Sequence, residues 1–230
     1  MPEPLSPDNG LSDLWTPDSE PHYILDWDST VCQKETLDFV AEFVLSDVEL
    51  VEFRACTDRG MTGNLSFSES LAQRFSMLRV RRDQVVEAGE LLVEHLDPTA
   101  VARRPCIERN QDRIHVVSGG FEELILPSVS RLGIRPDHVY ANRFVYDEDD
   151  YVVGADPERL TAHDGGKAAQ VKALALDGLK VVIGDGHNDL LIKQLGCADV
   201  FIAYTRHQHR EGVVAGADAS TDSFAEPLLT

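Results

Sequence analysis

Three short apolar segments that end in acids or glycines constrain the fold of this chain most strongly. They are HYILDWD at 22–28, RIHVVSGG at 113–120 and LKVVIGDG at 179–186, and a fourth apolar segment, ADVFIAY, follows at 198–204. Such segments are typical of buried parallel strands that lead into loops. Helical patterns lie between them, at 121–133, 165–176 and 187–196. Strands that alternate with helices predict an α/β fold: a Rossmann-like, three-layer parallel sheet with helices on both faces.

A long helical stretch interrupts this alternation once, directly after the first strand. From about Lys34 to Glu94, apolar residues recur every three or four positions. We interpret residues 34–105 as a small helical cap subdomain inserted over the strand ends, and residues 22–33 and 106–230 as the core domain. The segment 96–113 lacks a clean amphipathic pattern and predicts a broken helix, which leaves the cap's second boundary open.

Two further segments complete the organisation of the chain. Residues 1–21 carry five prolines and several acids without periodicity, which predicts a mobile N-terminal extension. The segment FVYDEDDYVVGA at 144–155 predicts a β-hairpin that turns at its acids.

The charge and composition exclude several classes of partner. Asp and Glu total 40 against 21 Lys and Arg, so the formal net charge is −19. A chain this acidic is repelled by nucleic acid and by anionic membranes. No apolar run approaches the roughly 20 residues that span a bilayer, and the first ten residues lack the layout of a secretory signal. The four cysteines have no metal-binding spacing, so we expect reduced thiols in a cytoplasmic protein.

The polar residues at the strand ends suit phosphoryl transfer. Asp26 and Asp28 follow the first strand, and Asp185 follows a later one. Ligands of open parallel sheets bind outside the carboxyl ends of strands, so these side chains are expected to converge. Carboxylates this close raise each other's pKa unless a cation compensates, and Mg²⁺ with oxygen ligands is the natural cation.

Groups suited to a phosphate occur in the same places. Ser118 offers a hydroxyl, and Gly119 and Gly120 offer backbone N–H groups at the predicted start of a helix, which is an anion-binding arrangement. Lys167 supplies a positive charge for phosphate oxygens. The acids, the SGG segment and the lysine are each weak evidence alone, since exposed acids, glycine turns and single lysines are common, whereas GDGxND at 184–189 is less easily dismissed. Their joint occurrence at successive strand ends favours the functional interpretation.

These motifs resemble those of the haloacid dehalogenase superfamily of aspartate-nucleophile phosphatases, over nearly the whole chain from His22 onward. Within that superfamily the chain is similar to the phosphoserine phosphatases. The matching motifs are DxDST at 26–30 with a following acid at Glu35, a cap segment with Met61, Gly63, Phe67 and Arg74, SGGF at 118–121, and GDGxND at 184–189.

The resemblance implies a role for each residue of the core motifs. Asp26 would form an aspartyl-phosphate, and Asp28 would act as general acid and then as general base. Mg²⁺ would be held by Asp26, the backbone carbonyl of Asp28 and Asp185. The phosphoryl oxygens would be held by Ser118, Gly119 and Lys167. Asp189 would orient Lys167 or a metal-bound water, and Asn188 would contact the substrate or its phosphate.

For the cap, the resemblance implies recognition of a small amino-acid phosphomonoester. Arg74 would bind the carboxylate of phosphoserine and Glu35 its ammonium group, with Met61 and Phe67 as an apolar lid. Arg74 alone could equally form an exposed salt bridge on its helix, near Glu69. Met61 and Phe67 alone could be ordinary core residues of the cap.

Two features depart from the family pattern or remain unassigned. His187 lies between Gly186 and Asn188, where the family commonly has a small residue. It points either to solvent or to the cap and phosphate. His207 and His209 lie in the segment RHQHR at 206–210 and could suggest a metal site, but without nearby acids a solvated loop is the expectation.

Rival functions remain open at this stage. A phosphotransferase that hands the phosphoryl group to homoserine would carry the same motifs. A phosphatase for phosphoethanolamine or phosphocholine would not need Arg74. A noncatalytic phosphate-binding protein would not need Asp26, Asp28, Lys167 and Asp185 together, and a DxD glycosyltransferase would not need the SGG and GDGxND motifs. The sequence does not indicate an oligomeric state.

The acidic composition generates a prediction about salt. The chain has five Lys and sixteen Arg against its 40 acids, so like charges repel across the folded surface at low ionic strength. The Debye length falls from about 10 Å at 0.1 M to about 3 Å at 1 M salt, which removes most of this repulsion. We expect the melting temperature to climb into the molar KCl range with activity retained. Thermal melts in a KCl series at fixed Mg²⁺ test this, and a melting temperature that is flat above moderate salt contradicts it.

Overall fold

The computed structural model describes residues 20–224. The described residues form eight strands: β1 (His22–Leu25), β2 (Ile114–Phe121), β3 (Val139–Asn142), β4 (Phe144–Tyr146), β5 (Val152–Ala155), β6 (Lys180–Gly184), β7 (Val200–Tyr204) and β8 (Ala219–Thr221). Six of them form a parallel sheet in the order β3-β2-β1-β6-β7-β8. The predicted α/β parallel sheet is therefore confirmed.

Ten α-helices lie within the same residues: α1 (Thr36–Ala41), α2 (Asp47–Met61), α3 (Phe67–Met77), α4 (Arg82–Leu92), α5 (Pro98–Ala102), α6 (Arg104–Arg109), α7 (Glu122–Leu132), α8 (Gly166–Ala173), α9 (His187–Gln194) and α10 (Glu211–Gly216). No helix in this part of the chain is long and apolar enough to cross a membrane. The predicted N-terminal extension lies outside the described residues, apart from Glu20 and Pro21.

The strand order places the start of the chain at the centre of the sheet. From β1 the chain first builds β2 and β3 on one side and later β6, β7 and β8 on the other. The carboxyl end of β1 is thus a topological switch point, where neighbouring connections leave in opposite directions and open a crevice. Tyr23 and Leu25 of β1 point to one face of the sheet and Ile24 to the other, and they are 2%, 1% and 1% exposed, so the sheet is covered on both faces.

The stretch between β1 and β2 contains the helices α1 to α6. Helices α1, α2 and α3 pack on one another, and Thr57 of α2 donates a hydrogen bond to Asp38 of α1 (2.7 Å). Helix α4 instead packs on α7, where a β-carbon on Gly89 would lie 2.7 Å from the carbonyl oxygen of Glu123. Helices α5 and α6 are short and interrupted at Arg103, as the broken pattern predicted. The division into a cap at 34–105 and a core stays a prediction.

The chain enters and leaves this helical stretch at one point. Residues 31–33 and 95–97 run antiparallel, with the Asp97 N–H donating to the Val31 carbonyl (2.8 Å) and the Gln33 N–H to the His95 carbonyl (2.8 Å). The Gln33 side-chain amide also donates to the Leu96 carbonyl (2.9 Å). The two crossing segments are therefore held together by main-chain hydrogen bonds.

Several local predictions differ from the structure in instructive ways. The first strand ends at Leu25 and not at Asp28, because a wide turn at Trp27–Val31 follows it, with Ser29 in the left-handed region (φ +53°). Strands β3 and β8 were not predicted. The acidic hairpin is present as β4 and β5, and α7 ends at Gly133 in the left-handed conformation (φ +76°), as expected for a glycine C-cap.

An aromatic cluster attaches α3 to the core. The rings of Phe121 and Phe144 stack with centroids 3.9 Å apart, and Phe75 meets both edge-on at 5.8 and 6.3 Å. Phe75 lies on α3, Phe121 ends β2 and Phe144 begins the hairpin. This cluster therefore fixes α3 relative to the carboxyl end of β2.

Removing the Phe75 ring should weaken the fold measurably. We expect Phe75→Ala to lower the free energy of unfolding by about 2 kcal/mol, since a half-buried ring loses both transfer energy and edge-to-face contacts. Urea unfolding measures the change. Val153→Ala on the exposed hairpin serves as the control and should change the unfolding free energy by less than about 0.5 kcal/mol. Equal effects of the two substitutions would contradict the assigned role of the cluster.

Candidate active site

The carboxyl ends of β1, β2 and β6 border a cavity that α2 and α3 cover from the other side. With its mouth, the cavity has a volume of about 540 Å³. Its lining contains nearly every residue that the sequence singled out: Asp26, Asp28, Glu35, Met61, Phe67, Arg74, Ser118, Gly119, Lys167, Asn188 and Asp189. Asp185 does not line it but lies beside Asp26 and Asp189. The structure thus brings the predicted site residues together.

The turn after β1 places Asp26 and Asp28 in the cavity. The Asp26 N–H donates to the Ile183 carbonyl (2.9 Å), which ties the end of β1 to β6. One carboxylate oxygen of Asp28 accepts hydrogen bonds from the Thr36 N–H (3.1 Å) and hydroxyl (3.0 Å). The wide turn, rather than an extended strand, therefore directs both carboxylates toward the same space.

The Ser118-Gly119-Gly120 segment is the end of β2 and not a turn before a helix. Helix α7 begins only at Glu122, and the Gly120 N–H donates to the Ser118 hydroxyl oxygen (2.9 Å). The register of β2 against β3 shifts between Val117 and Phe121, so these residues leave the regular ladder. The expected helix-start anion site at the two glycines is wrong in this respect. The Ser118 hydroxyl and the glycines still border the cavity.

Two residues that sequence reasoning missed support this segment. The Asn142 side chain is fully buried and donates to the Gly119 carbonyl (2.9 Å), and its amide oxygen accepts from the Thr161 hydroxyl (2.8 Å). A buried amide needs such partners. Asn142, at the end of β3, therefore holds Gly119 in place. An Asn at the end of a short apolar segment was the available signal.

Lys167 is a buried cation between two carboxylates. Its ammonium donates to Asp26 (2.6 Å) and to Asp189 (2.7 Å). Burial lowers the pKa of Lys167, but the charges of Asp189 and Asp26 outweigh burial and raise that pKa above its ordinary value. Lys167 is therefore charged and joins residues from three elements. The preceding Gly166 is required by space, because a β-carbon there would lie 2.0 Å from the Leu160 carbonyl oxygen.

Three carboxyl groups of the site have raised pKa values. Burial and the charge of Asp26 raise the pKa of Asp189 to about 7, against the opposing charge of Lys167. Burial raises the pKa of Asp28 well above its usual range, and the charges of Glu35 and Asp26 raise it further. Burial also raises the pKa of Glu35, to about 7, together with the charge of Asp38. A carboxyl group with a raised pKa is suited to general acid catalysis, and Asp28 is such a group.

Arg74 enters the cavity from α3. It is 8% exposed, and its Nε has no hydrogen-bond partner. Within the part of the chain that the structure describes, no carboxylate lies within 4.0 Å of its guanidinium. The alternative of an exposed salt bridge on the helix is therefore wrong. A buried guanidinium without a carboxylate partner is costly unless an anionic ligand pairs with it.

The cap side approaches the core at three glycines. A β-carbon on Gly119 would lie 2.9 Å from the Phe67 ring, one on Gly186 would lie 3.0 Å from the Met61 methyl group, and one on Gly63 would lie 3.0 Å from the His187 ring. A β-carbon at any of these positions would force the facing side chain to shift. His187 therefore lies against the turn after α2, which corresponds to the alternative of a contact with the inserted helices and not to a solvent-facing side chain.

The carboxylates suit a divalent cation. Ligand oxygens of Asp26, Asp185 and Asp189 lie within 4.8 Å of one another, and one buried oxygen each of Asp26 and Asp28 has no hydrogen-bond partner. Hard oxygen donors in this number fit Mg²⁺. The ligand set Asp26, Asp28 carbonyl and Asp185 stays a prediction, as does the outer role of Asp189.

Arg210 is a site residue that the sequence did not reveal. Its guanidinium donates to the Asp185 carboxylate and lies 3.9 Å from Glu35. It ends the RHQHR segment, which was expected to be a solvated loop. The side chain is only 10% exposed, so that expectation is wrong for Arg210.

Comparison with known proteins agrees with this geometry. A sequence profile of the haloacid dehalogenase-like hydrolases matches residues 23–192, and the chain belongs to that family. It is 34% identical over 217 residues to the chloroplastic phosphoserine phosphatase of Arabidopsis thaliana, a match that covers 93% of this chain and 72% of that protein.

Solved structures point the same way. A phosphoserine phosphohydrolase-like protein from Francisella tularensis superposes with a TM-score of 0.82 at 27% identity, covering 90% of this chain and 97% of that one. A phospho-aspartyl intermediate analogue of phosphoserine phosphatase has a TM-score of 0.68 at 25% identity, covering 88% and 94%. The resemblance inferred from the motifs is confirmed.

Proposed function

We propose that this enzyme hydrolyses O-phospho-L-serine to L-serine and phosphate through an aspartyl-phosphate on Asp26. The observation that carries the proposal is the pairing of opposite charges across one cavity. Arg74 offers a carboxylate a guanidinium whose buried Nε has no hydrogen-bond partner, and Glu35 offers a carboxylate to an ammonium group. Both line the cavity that holds Asp26. The names of the Arabidopsis and Francisella relatives support the same substrate.

The hydrogen bonds of Asp26 select its attacking oxygen. Oδ1 accepts from the Trp27 N–H (2.7 Å) and from Lys167, whereas buried Oδ2 has no partner. Oδ2 would attack the phosphorus as the bond between phosphorus and the serine oxygen breaks. Asp28, whose pKa is raised by burial, would act in its protonated form and give its proton to the departing serine oxygen. The products of this step are serine and the aspartyl-phosphate.

The second step restores the enzyme. Asp28, now ionised, would take a proton from a water molecule as the water oxygen attacks the phosphorus. The bond between Asp26 and phosphorus breaks, inorganic phosphate leaves and Asp28 is again protonated. One carboxyl group therefore serves as acid and then as base, and no proton is left unaccounted for.

Charge in both steps would be balanced by fixed groups. Ser118, Gly119 and Lys167 would hold the phosphoryl oxygens. Asn188 would contact the substrate, and Asp189 would orient Lys167. Mg²⁺, held by Asp26, the Asp28 carbonyl and Asp185, would supply positive charge that neutralises the phosphate. Met61 and Phe67, which meet the core at Gly186 and Gly119, would exclude bulk water from the reacting groups.

We also propose three finer assignments. Mg²⁺ is the working metal because the donors are carboxylate and carbonyl oxygens. The cytoplasm is the compartment because four free cysteines, two of them buried, are compatible with a reducing environment. The net charge of −19 is an adaptation to high salt. The salt series above addresses the last assignment.

Asp26→Asn should abolish phosphate release and leave the fold intact, because the substitution removes the nucleophilic oxygen and little else. Phosphate release from phosphoserine with Mg²⁺ measures the activity, and circular dichroism measures whether the fold is retained. Asp149→Asn in the exposed hairpin turn is the matched control and should retain full activity. Near wild-type turnover by natively folded Asp26→Asn protein would refute the assigned nucleophile.

Arg74→Ala should raise the KM for phosphoserine strongly and leave phosphoethanolamine turnover little changed. Losing a charge-assisted bidentate contact costs about 2–3 kcal/mol, or roughly 30- to 150-fold in KM. Steady-state kinetics on both substrates distinguish a substrate-binding role of Arg74 from a structural one. Arg59→Ala, at an exposed position of α2, is the control. Equal losses on both substrates would show that Arg74 is structural.

A further inference from the structure

The segment between β7 and α10 is held by a buried carboxylate near its start, and its last residue reaches the candidate active site. In the segment RHQHR at 206–210, His207 is 12% exposed and its Nε2–H donates to the carboxylate of Asp97 (2.8 Å). His209, two residues on, is exposed. The two histidines therefore differ in environment although the sequence presents them symmetrically. Neither belongs to the proposed catalytic machinery.

Asp97 is a fully buried carboxylate whose two oxygens serve different segments. Oδ1 accepts from the backbone N–H groups of Thr99 (2.7 Å) and Ala100 (3.0 Å) and so caps α5. Oδ2 accepts from the Tyr204 hydroxyl (2.8 Å) and from His207. A buried carboxylate with this many donors is rigidly held. It is thus a firm anchor for residues 204–207.

The anchor is itself attached close to the catalytic aspartates. Asp97 ends the paired crossing segments, and its N–H donates to the Val31 carbonyl (2.8 Å). Val31 closes the wide turn that begins directly after Asp26. The position of Asp97 is therefore fixed relative to the turn that carries Asp26 and Asp28.

The other end of the segment reaches the site. Arg210 donates to the Asp185 carboxylate and lies 3.9 Å from Glu35 Oε1. Asp185 is a predicted Mg²⁺ ligand, and Glu35 is the predicted partner of the substrate ammonium. One guanidinium therefore lies between the carboxylate for the metal and the carboxylate for the amino acid.

We propose that His207, held by Asp97, is a positioning residue that fixes the 205–210 segment so that Arg210 orients Asp185 and Glu35 together. The inference rests on the proposed function for the role of Glu35 and on the carboxylate cluster for the role of Asp185. An arginine at the end of an anchored segment loses less conformational freedom when it orients its partners. Releasing the anchor should therefore disturb both the metal site and the substrate site, with the charge of Arg210 retained.

The experiment compares His207→Ala with His209→Ala in the same segment. The first readout is the midpoint of Mg²⁺ binding, taken from the rise in each variant's own melting temperature with Mg²⁺ alone. We expect His207→Ala to weaken Mg²⁺ binding by about tenfold, the lower range for residues that orient metal ligands. The second readout is KM against kcat for phosphoserine at saturating Mg²⁺, where KM should rise severalfold. His209→Ala should match the wild type in both.

Conservative variants keep the proposal testable if His207→Ala does not fold. The amide nitrogen of His207→Gln reaches the position of the imidazole Nε2 and should restore both readouts, whereas the shorter His207→Asn should not. A wild-type Mg²⁺ midpoint in a folded His207→Ala or His207→Asn protein would overturn the proposal, even if the variant's melting temperature without Mg²⁺ is lower than that of the wild type. Because Mg²⁺ binding is read without substrate, failure to hydrolyse phosphoserine would count against the proposed function alone.

Discussion

The site depends on the buried ion pairs of Lys167 with Asp26 and Asp189. Five carboxyl groups from Asp26, Asp28, Glu35, Asp185 and Asp189 converge where three strands end, and their mutual repulsion opposes folding. Lys167 compensates two of them at 2.6 and 2.7 Å, and Arg210 pairs with a third. Asp28, Glu35 and Asp189 nevertheless have raised pKa values, because burial penalises their charged forms. The same crowding of carboxyl groups therefore gives both groups with raised pKa values and a site suited to cations.

Much of this could be predicted from the sequence, because the chemistry lies at the ends of strongly apolar strands. Asp26, Ser118 and Asp185 each follow a buried strand core, and parallel strands bring their carboxyl ends to one edge by geometry alone. Lys167 was recognisable because two glycines precede it. The residues of the cap side, such as Arg74, were identifiable only through the spacing of a family motif, since an arginine on a helix is usually exposed.

What the sequence could not show arises from contacts between distant segments without a periodic pattern. Strands β3 and β8 have four and three residues, too few for alternation to be visible. Asn142 and Arg210 function through partners 23 and 25 residues away, and His207 through one 110 residues away. The course of Trp27–Val31 was also hidden, because a non-glycine residue at positive φ has no sequence signature. Each case is a tertiary contact overriding a local preference.

The paired crossing segments have a consequence for how such a chain can diversify. The helical stretch departs at 31–33 and rejoins at 95–97, where main-chain hydrogen bonds connect the two, so its two ends are joined independently of the helices between them. Backbone pairing of this kind places few demands on side-chain identity. The proposed nucleophile Asp26 and general acid Asp28 lie outside this stretch, whereas Arg74, Met61 and Phe67, which are proposed to recognise the rest of the substrate, lie within it. The proposed function therefore assigns reaction chemistry and most of substrate recognition to different stretches of one chain.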